Sequence, residues 1–281
     1  MSKRIVPTLR PSLSDRFKAF KYERRLNRRI AEALRNEPLV APEAVEAFFG
    51  QFQPRAIDVP LKRVGGKFDG GYVVPDDFSG IEASYSPGVA TEMDFDLEIA
   101  EMGIPGFLID ASIQGIAKTH PNIRFERLFL GERTGGEFIS LPDWIARNTP
   151  DAKELLLQID IEGAEYKCLN ATPRADLDRF RIIVIEFHDL HRAFTEEHHA
   201  VMRETLDRLN ESHLPVHIHH NNCLPPARYG AFTFPEVFEV TYIRKDRCKE
   251  QGETSLIPHP LDRPNLPQEI DWIIPEFWHR P

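Results

Sequence analysis

Three carboxylates crowd around one glycine in Gln158-Ile159-Asp160-Ile161-Glu162-Gly163-Ala164-Glu165, directly after the apolar run Leu155-Leu156-Leu157. A second run, Ile182-Ile183-Val184-Ile185-Glu186-Phe187-His188-Asp189, sets Glu186 and His188 at alternate positions and therefore on one face of a strand. If the two runs are neighbouring strands, Asp160, Glu186 and His188 converge within ligand distance. Two oxygens and one nitrogen suit a divalent cation such as Mg or Mn better than a structural zinc. The same groups serve a metal-free site in which His188 or Asp160 is the general base and Glu186 orients it.

Neighbouring polar residues divide less sharply. Glu162 and Glu165 fall in the first turn of the next helix, where negative charge favours the helix dipole; this reads Glu165 as structural and leaves Glu162 open. His198 and His199, beside Glu196 and Glu197, read as solvated. In His217-Ile218-His219-His220-Asn221-Asn222 the alternation puts His217 and His219 on one face. His219 and Asn221 are candidates for substrate contact or proton transfer, against a reading as polar residues of an edge strand.

The elements that must position these groups follow from periodicity. Strands are expected over 82–86, 106–110, 123–130, 155–160, 181–187, 215–220 and 236–243, and helices over 92–103, 142–148, 163–170 and 195–212. Such alternation calls for a mostly parallel sheet covered on both faces, and open sheets of this kind bind ligands at their strand ends. Ahead of it, Ser14-Asp15 can cap a helix to about Arg35 with Phe17, Phe20, Leu26, Ile30 and Leu34 on a drifting stripe. Pro42 opens a second helix whose Val45, Phe48, Phe49 and Phe52 make a better core stripe.

Two features point to an adenosine-containing cofactor. The first strand of the alternating region ends in Tyr85-Ser86-Pro87-Gly88-Val89-Ala90 with a helix starting near Thr91-Glu92, so Gly88 lets a ligand approach backbone amides; the alternative is a plain strand-to-helix turn. The next strand ends in Asp110, about twenty residues on, where an acid holds ribose hydroxyls. The full GxGxxG fingerprint is absent, which disfavours hydride chemistry with NAD. Gly65-Gly66-Lys67-Phe68-Asp69-Gly70-Gly71 reads as a lid presenting amides to an anion, with Lys67 as added charge and Asp69 as partner for the cofactor amine. The alternative is a tight hairpin needing positive φ at its glycines.

In these segments the chain resembles the FkbM-type S-adenosylmethionine-dependent methyltransferases. The resemblance rests on Gln158 to Glu165, Ile185-Glu186-Phe187-His188, the Gly66 to Tyr72 entry, and Tyr85-Ser86-Pro87-Gly88-Val89 followed by Phe107-Leu108-Ile109-Asp110, and covers roughly residues 61–244. It implies a Rossmann-like, seven-stranded class I methyltransferase sheet. Gly88 would lie near the methionine part of S-adenosylmethionine, Asp110 would hold its ribose, and Glu132, at the end of the third strand, would border the adenine. Asp69, Gly70 and Gly71 join the cofactor set through the lid. The family implies O-methylation, often of sugars in glycans or secondary metabolites. A hydroxyl is a poor nucleophile at neutral pH, so transfer to it needs a base, a metal ion, or both, the two roles open to Asp160, Glu186 and His188.

Composition bounds the rest. With 281 residues and 41% apolar side chains the chain can build a real core. No apolar stretch is long enough for a membrane span and no signal-peptide core is visible, so a cytoplasmic protein is expected. Cys168, Cys223 and Cys248 lack CxxC spacing and read as ordinary thiols. The net charge of −9 splits into eleven Lys/Arg against three Asp/Glu over residues 1–36 and −17 for the remainder. An acidic body argues against nucleic acid as partner; the basic arm is a solvated or partner-facing helix in one reading and a peripheral membrane contact in another. Homo-oligomerisation is compatible with the sequence. The domains expected are a helical basic extension over 1–55, the methyltransferase domain over 56–250, and a Pro-rich aromatic tail over 251–281 that docks on the body through Trp272, Phe277 and Trp278. Two rivals remain: a metal-dependent hydrolase using the same carboxylates and histidines, and a non-catalytic scaffold that keeps the fold.

Overall fold

A strand apolar at nearly every position cannot face water on either side, and the two strands that lead into the acidic motifs, residues 155–159 and 180–187, are buried along their whole length. The computed structural model describes residues 13–89, 92–254 and 256–272, with side chains from residue 20 onward. Ala90, Thr91, Phe277 and Trp278, and the side chain of Phe17, lie outside the described residues. In chain order the elements are α1 (Leu13–Ala33), α2 (Pro42–Gly50), β1 (Arg55–Ile57), β2 (Leu61–Gly65), β3 (Gly71–Pro75), β4 (Ala83–Pro87), α3 (Asp94–Glu101), β5 (Gly106–Ile109), β6 (Ile123–Glu126), β7 (Phe129–Gly131) and β8 (Phe138–Ser140). There follow α4 (Leu141–Asn148), β9 (Leu155–Ile159), α5 (Glu165–Ala171), α6 (Arg174–Leu177), β10 (Phe180–Phe187), a 3-10 turn (Leu190–Phe194), α7 (Glu196–Ser212), β11 (His213–His220), β12 (Ala227–Tyr229), β13 (Phe232–Phe234), β14 (Phe238–Arg244) and β15 (Glu250–Glu253).

Seven strands form one sheet in the order β11-β14-β10-β9-β4-β5-β6. Strands β10, β9, β4, β5 and β6 run parallel, and β14 is antiparallel to both β10 and β11. The C-terminal ends of β4, β5, β9, β10 and β11 and the start of β14 therefore share one edge. This mixed α/β sheet has the Rossmann-like methyltransferase architecture expected.

Two apolar layers cover it. On one face Phe48 and Phe49 of α2, Phe52 just beyond it and Trp144 of α4 pack with Ile183, Ile185 and Phe187 of β10; on the other, Val64, Tyr72 and Val74 of the β2–β3 hairpin and Phe95 and Ile99 of α3 pack on Leu156, Ile182 and Val184. Opposite faces of β10 thus meet different partners at alternate residues, and Glu186 falls on the hairpin side. The buried stripe is Leu26 and Ile30 of α1 with Leu34 just beyond it, while Phe20 is 53% exposed.

Several boundaries differ from the periodicity. The strand expected over 123–130 breaks after Glu126: Leu128 N–H donates to Glu126 O at 3.1 Å, and Phe129–Gly131 pairs with β8 in a separate two-stranded sheet. At the break Arg127 Nε donates to Ile113 O at 3.0 Å. Glu132 is consequently an exposed residue beyond β7 rather than the end of the third strand of the main sheet. The β1–β15 pair and the β12–β13 hairpin have no alternating signal long enough to read. His199 is not solvated but buried, with Nδ1 2.8 Å from Ala193 O and its ring 5.6 Å from Phe48.

The segment after β15 returns across the site edge. Asp262 meets His217 at 2.7 Å, and Asn265 Nδ2 donates to Glu239 at 2.6 Å and to Asp69 at 3.1 Å. Asn222 Nδ2 donates to Leu266 O at 2.8 Å. Trp272 is half-buried.

Candidate active site

The turn after β9 is built by backbone that only a glycine or a strained residue adopts: Glu162 has φ 55° and Gly163 φ 100°. That reversal brings Glu165, wholly buried, back under the turn, where its Oε1 accepts the amide hydrogens of Ile161 at 3.0 Å and Gly163 at 3.1 Å. The same oxygen lies 3.0 Å from His188 Nδ1. An oxygen already accepting two N–H groups is an acceptor, so His188 donates from Nδ1 and its Nε2 faces the site.

Around Nε2 stand Glu186 Oε1 at 3.5 Å, Glu162 Oε2 at 3.6 Å and Asp160 Oδ1 at 3.7 Å. Burial alone would lower the His188 pKa, but the Glu165 hydrogen bond and the charges of Glu165, Asp160 and Glu162 outweigh it, and the net direction is up. Burial lifts Asp160 to about 7, opposed by His188 and aided by Glu162, Glu165 and Asp69. Burial pushes Glu186 well above the carboxylate range, as do Asp160, Glu239 and Asp69. Asn221 Nδ2 opposes that shift by donating to both Glu186 oxygens, at 3.1 and 3.2 Å.

Sequence reasoning gave Glu186 the task of orienting His188; in the structure Glu165 does this, and Asn221 holds Glu186. Among the described residues, one group whose donor atoms all lie within 4.8 Å is Asp160, Glu165 and His188. Glu165 earned a structural reading because its place in a first turn already explains a carboxylate. Its burial, which sets it apart from an ordinary first-turn acid, shows only in the structure.

Lateral register extends the row. Glu186 pairs with Glu239, and Glu239 with His219, so β14 separates His219 from Glu186 as the strand order requires. His219 Nδ1 lies 3.4 Å from Glu239 Oε2. Glu239, which the sequence reading passed over, carries the same signal as Glu186: a carboxylate inside an otherwise apolar alternating strand. Tyr72 closes the row from above, its hydroxyl accepting from Gln158 Nε2 at 3.2 Å.

At the other end of the edge, Gly88 and Asp110 follow the neighbouring strands β4 and β5, and Gly88 N–H donates to Ile109 O at 2.9 Å. A Cβ on Gly88, at φ +85°, would lie 1.5 Å from Asp160 O, so its bareness lets β4 and β9 close on each other. Asp110 is buried, and its Oδ1 accepts from Ser112 N at 2.8 Å and Ser112 Oγ at 2.6 Å. Ser112 thereby fixes the direction of the carboxylate.

The glycine-rich loop spends its amides inside the protein. Gly65 N–H donates to Glu98 at 2.7 Å, Gly66 N–H to Gly70 O at 3.2 Å, Asp69 N–H to Asn265 O at 3.3 Å, and Gly70 N–H to Asp69 Oδ1 at 3.2 Å. A Cβ on Gly65 would meet Phe95 backbone at 2.9 Å, and one on Gly66 would meet Asp69 O at 2.8 Å. Positive φ at Gly65 and Gly70, and the contact of Gly65 with Phe95 of α3, are what the hairpin reading of these glycines requires.

Among the described residues no helix is long and apolar enough to cross a membrane. No curated protein matches the chain. The family model described as the methyltransferase FkbM domain matches residues 116–212, which span β6 through α7 with Asp160, Glu165, Glu186 and His188 inside the match and Gly88, Asp110 and His219 outside it. Taken with the seven-stranded sheet, that match identifies a Rossmann-like fold bearing a methyltransferase FkbM domain.

Proposed function

We propose that the chain is an S-adenosylmethionine-dependent O-methyltransferase acting on a hydroxyl of a sugar, a glycoconjugate precursor or a related small molecule. The observation that carries this reading is His188, fixed through Nδ1 by Glu165 at 3.0 Å with Nε2 turned to the carboxylates at the strand edge. S-adenosylmethionine supplies an electrophilic methyl group on a sulfonium centre. Asp110, aimed by Ser112, would take its ribose hydroxyls, and Gly88 would border its methionine part, with Asp69, Gly70 and Gly71 on the loop against α3 and Glu132 toward the adenine. Of these, Glu132 has the weakest support, being exposed beyond β7.

The acceptor hydroxyl must lose a proton as its oxygen attacks. His188 Nε2 takes that proton and Glu165 stabilises the imidazolium through Nδ1, a pairing that needs no movement of either side chain. Asp160 and Glu186, with pKa values raised by burial and mutual repulsion, hold the acceptor by hydrogen bonds while adding little negative charge.

A second reading adds a divalent cation. Separations of 3.5 to 3.7 Å between Nε2 and the oxygens of Glu186 and Asp160 exceed hydrogen bonds but suit ligands about one ion. Asp160, Glu186 and His188 would hold Mg or Mn there, which would lower the pKa of the acceptor hydroxyl.

Transfer of labelled methyl from S-adenosylmethionine to a panel of monosaccharides and glycosides, with and without chelator, tests both readings. Turnover lost in His188→Gln and insensitive to chelator supports the base; turnover restored only by Mn or Mg supports the cation. Label recovered solely on nitrogen or carbon would remove O-methyl transfer from consideration.

A further inference from the structure

Beside the candidate active site lies a second group of ligating side chains with which methyl transfer has no business. Asp189, His191 and Glu236 each offer a donor atom, and these atoms lie within 4.8 Å of one another. They come from two segments far apart in sequence: the 3-10 turn that follows β10, and the chain just ahead of β14. His191 Nδ1 is 2.9 Å from Glu236 Oε2, while the second carboxylate oxygen, Glu236 Oε1, is buried without any hydrogen-bond partner. Glu236 as a whole is 4% exposed.

A hidden carboxylate oxygen with no partner is costly, since a charged acceptor loses its water and gains nothing in return. It shares its carboxylate with Oε2, the atom that meets His191. A second orphan borders the group: the Tyr166 hydroxyl is buried and unpaired, and its ionisation is opposed by burial first and then by the charges of Glu165, Tyr242, Asp189 and Glu236.

We propose that Asp189, His191 and Glu236 form a binding site for a divalent transition-metal ion, zinc in the first instance, separate from the Asp160–His188 group. One imidazole with two carboxylates is a donor set that zinc accepts and that magnesium, which prefers oxygen alone, does not select. Donor atoms bound at about 2.1 Å to one ion stand about 3 to 3.5 Å apart, so the 2.9 Å His191–Glu236 pair is already near a ligand bite. Loading moves the His191 hydrogen from Nδ1 to Nε2, so that the Nδ1 lone pair meets the ion and the imidazole stays neutral. Asp189 sits at φ 56°; its Oδ2 meets Arg192 Nε at 3.0 Å and shares its charge with that guanidinium.

The ion would be a clamp. Beyond the last β10–β14 pair, Phe187 with Phe238, the two segments meet through Leu190 N–H to Glu236 O at 3.4 Å and through His191. Joining them through metal fixes two strand ends that carry the acidic row, without contributing to the chemistry there.

The site is tested by zinc titration of the full-length protein carrying Asp160→Asn and His188→Gln, which disables the neighbouring group, with a chromogenic chelator as competitor and thermal melting as second readout. The expected result is one tightly bound zinc and a melting temperature raised by roughly 5 °C, both abolished by adding Glu236→Gln. Glu236→Gln is nearly isosteric; if it fails to fold, Asp189→Asn, which tolerates the left-handed backbone, must weaken zinc at least tenfold in the same background. Zinc retained undiminished in both variants, or no zinc bound at all, overturns the proposal.

Discussion

Glu165 Oε1 accepts a hydrogen from His188 Nδ1 at 3.0 Å while also accepting the amide hydrogens of Ile161 and Gly163. One buried oxygen thus locks the turn after β9 to the end of β10 and sets the tautomer of the imidazole. The reactive nitrogen is aimed before any ligand arrives, so little reorganisation remains for the reaction.

Replacing Glu165 with Gln keeps the shape and removes the charge. Because Glu165 raises the His188 pKa against the effect of burial, the variant's His188 should titrate at lower pH, read by NMR on chelated protein. Turnover should fall roughly 100-fold with cofactor affinity unchanged. An unmoved titration would mean that the hydrogen bond does not control the ring.

Asp160 gives a pH-dependent stability with a definite sign. Burial lifts its folded pKa to about 7 from an ordinary 3.8, so folding favours the protonated form. That contribution is complete below about pH 4 and is lost as pH rises through 7. Asp160→Asn, which cannot ionise, should match the parent at low pH, melt progressively higher than it from about pH 4 to 7, and keep a constant margin above that. Melting curves of the two that stay parallel across this range would contradict the assignment.

Asn221→Ala takes from Glu186 the two donations at 3.1 and 3.2 Å. Urea unfolding should show a loss of about 1–3 kcal/mol, larger at high pH because Asn221 favours the ionised carboxylate. An effect below 0.5 kcal/mol, taken as roughly the limit for an unstructured surface change, would show that water replaces the amide.

Much of this architecture is legible in the chain. Runs such as Ile182 to Ile185 can only be buried strands, and alternation with helices of ordinary length fixes a parallel sheet with Asp160, Glu186 and His188 on one edge. What the sequence conceals is partnership. Nothing local tells that Glu165 turns inward or that Asn221 reaches Glu186 across β14, because both depend on a left-handed turn at Glu162 and on strand register. The loop glycines carry a further example: Gly65 lies against Phe95 and Gly66 against Asp69, and the first of these contacts is invisible until α3 is in place. Short pairs such as β12–β13 fall below the length at which period-2 patterning carries information.

Glycines separate packing from conformation in a further test. Gly88→Ala would put a Cβ 1.5 Å from Asp160 O and should cost about 3 kcal/mol or more, whereas Gly103→Ala, at nearly the same φ of +87° but with nothing within 4 Å, should cost about 1–2 kcal/mol. Equal losses in chemical denaturation would show that β4 and β9 do not approach each other as described.

The central claim is that this edge binds S-adenosylmethionine, and calorimetric titration with S-adenosylhomocysteine tests it most directly. Binding in the micromolar range to the parent, weakened at least tenfold by Asp110→Ala and retained in His188→Gln, is the predicted result. No heat and no thermal shift with the parent, with or without Mg or Mn, would contradict it.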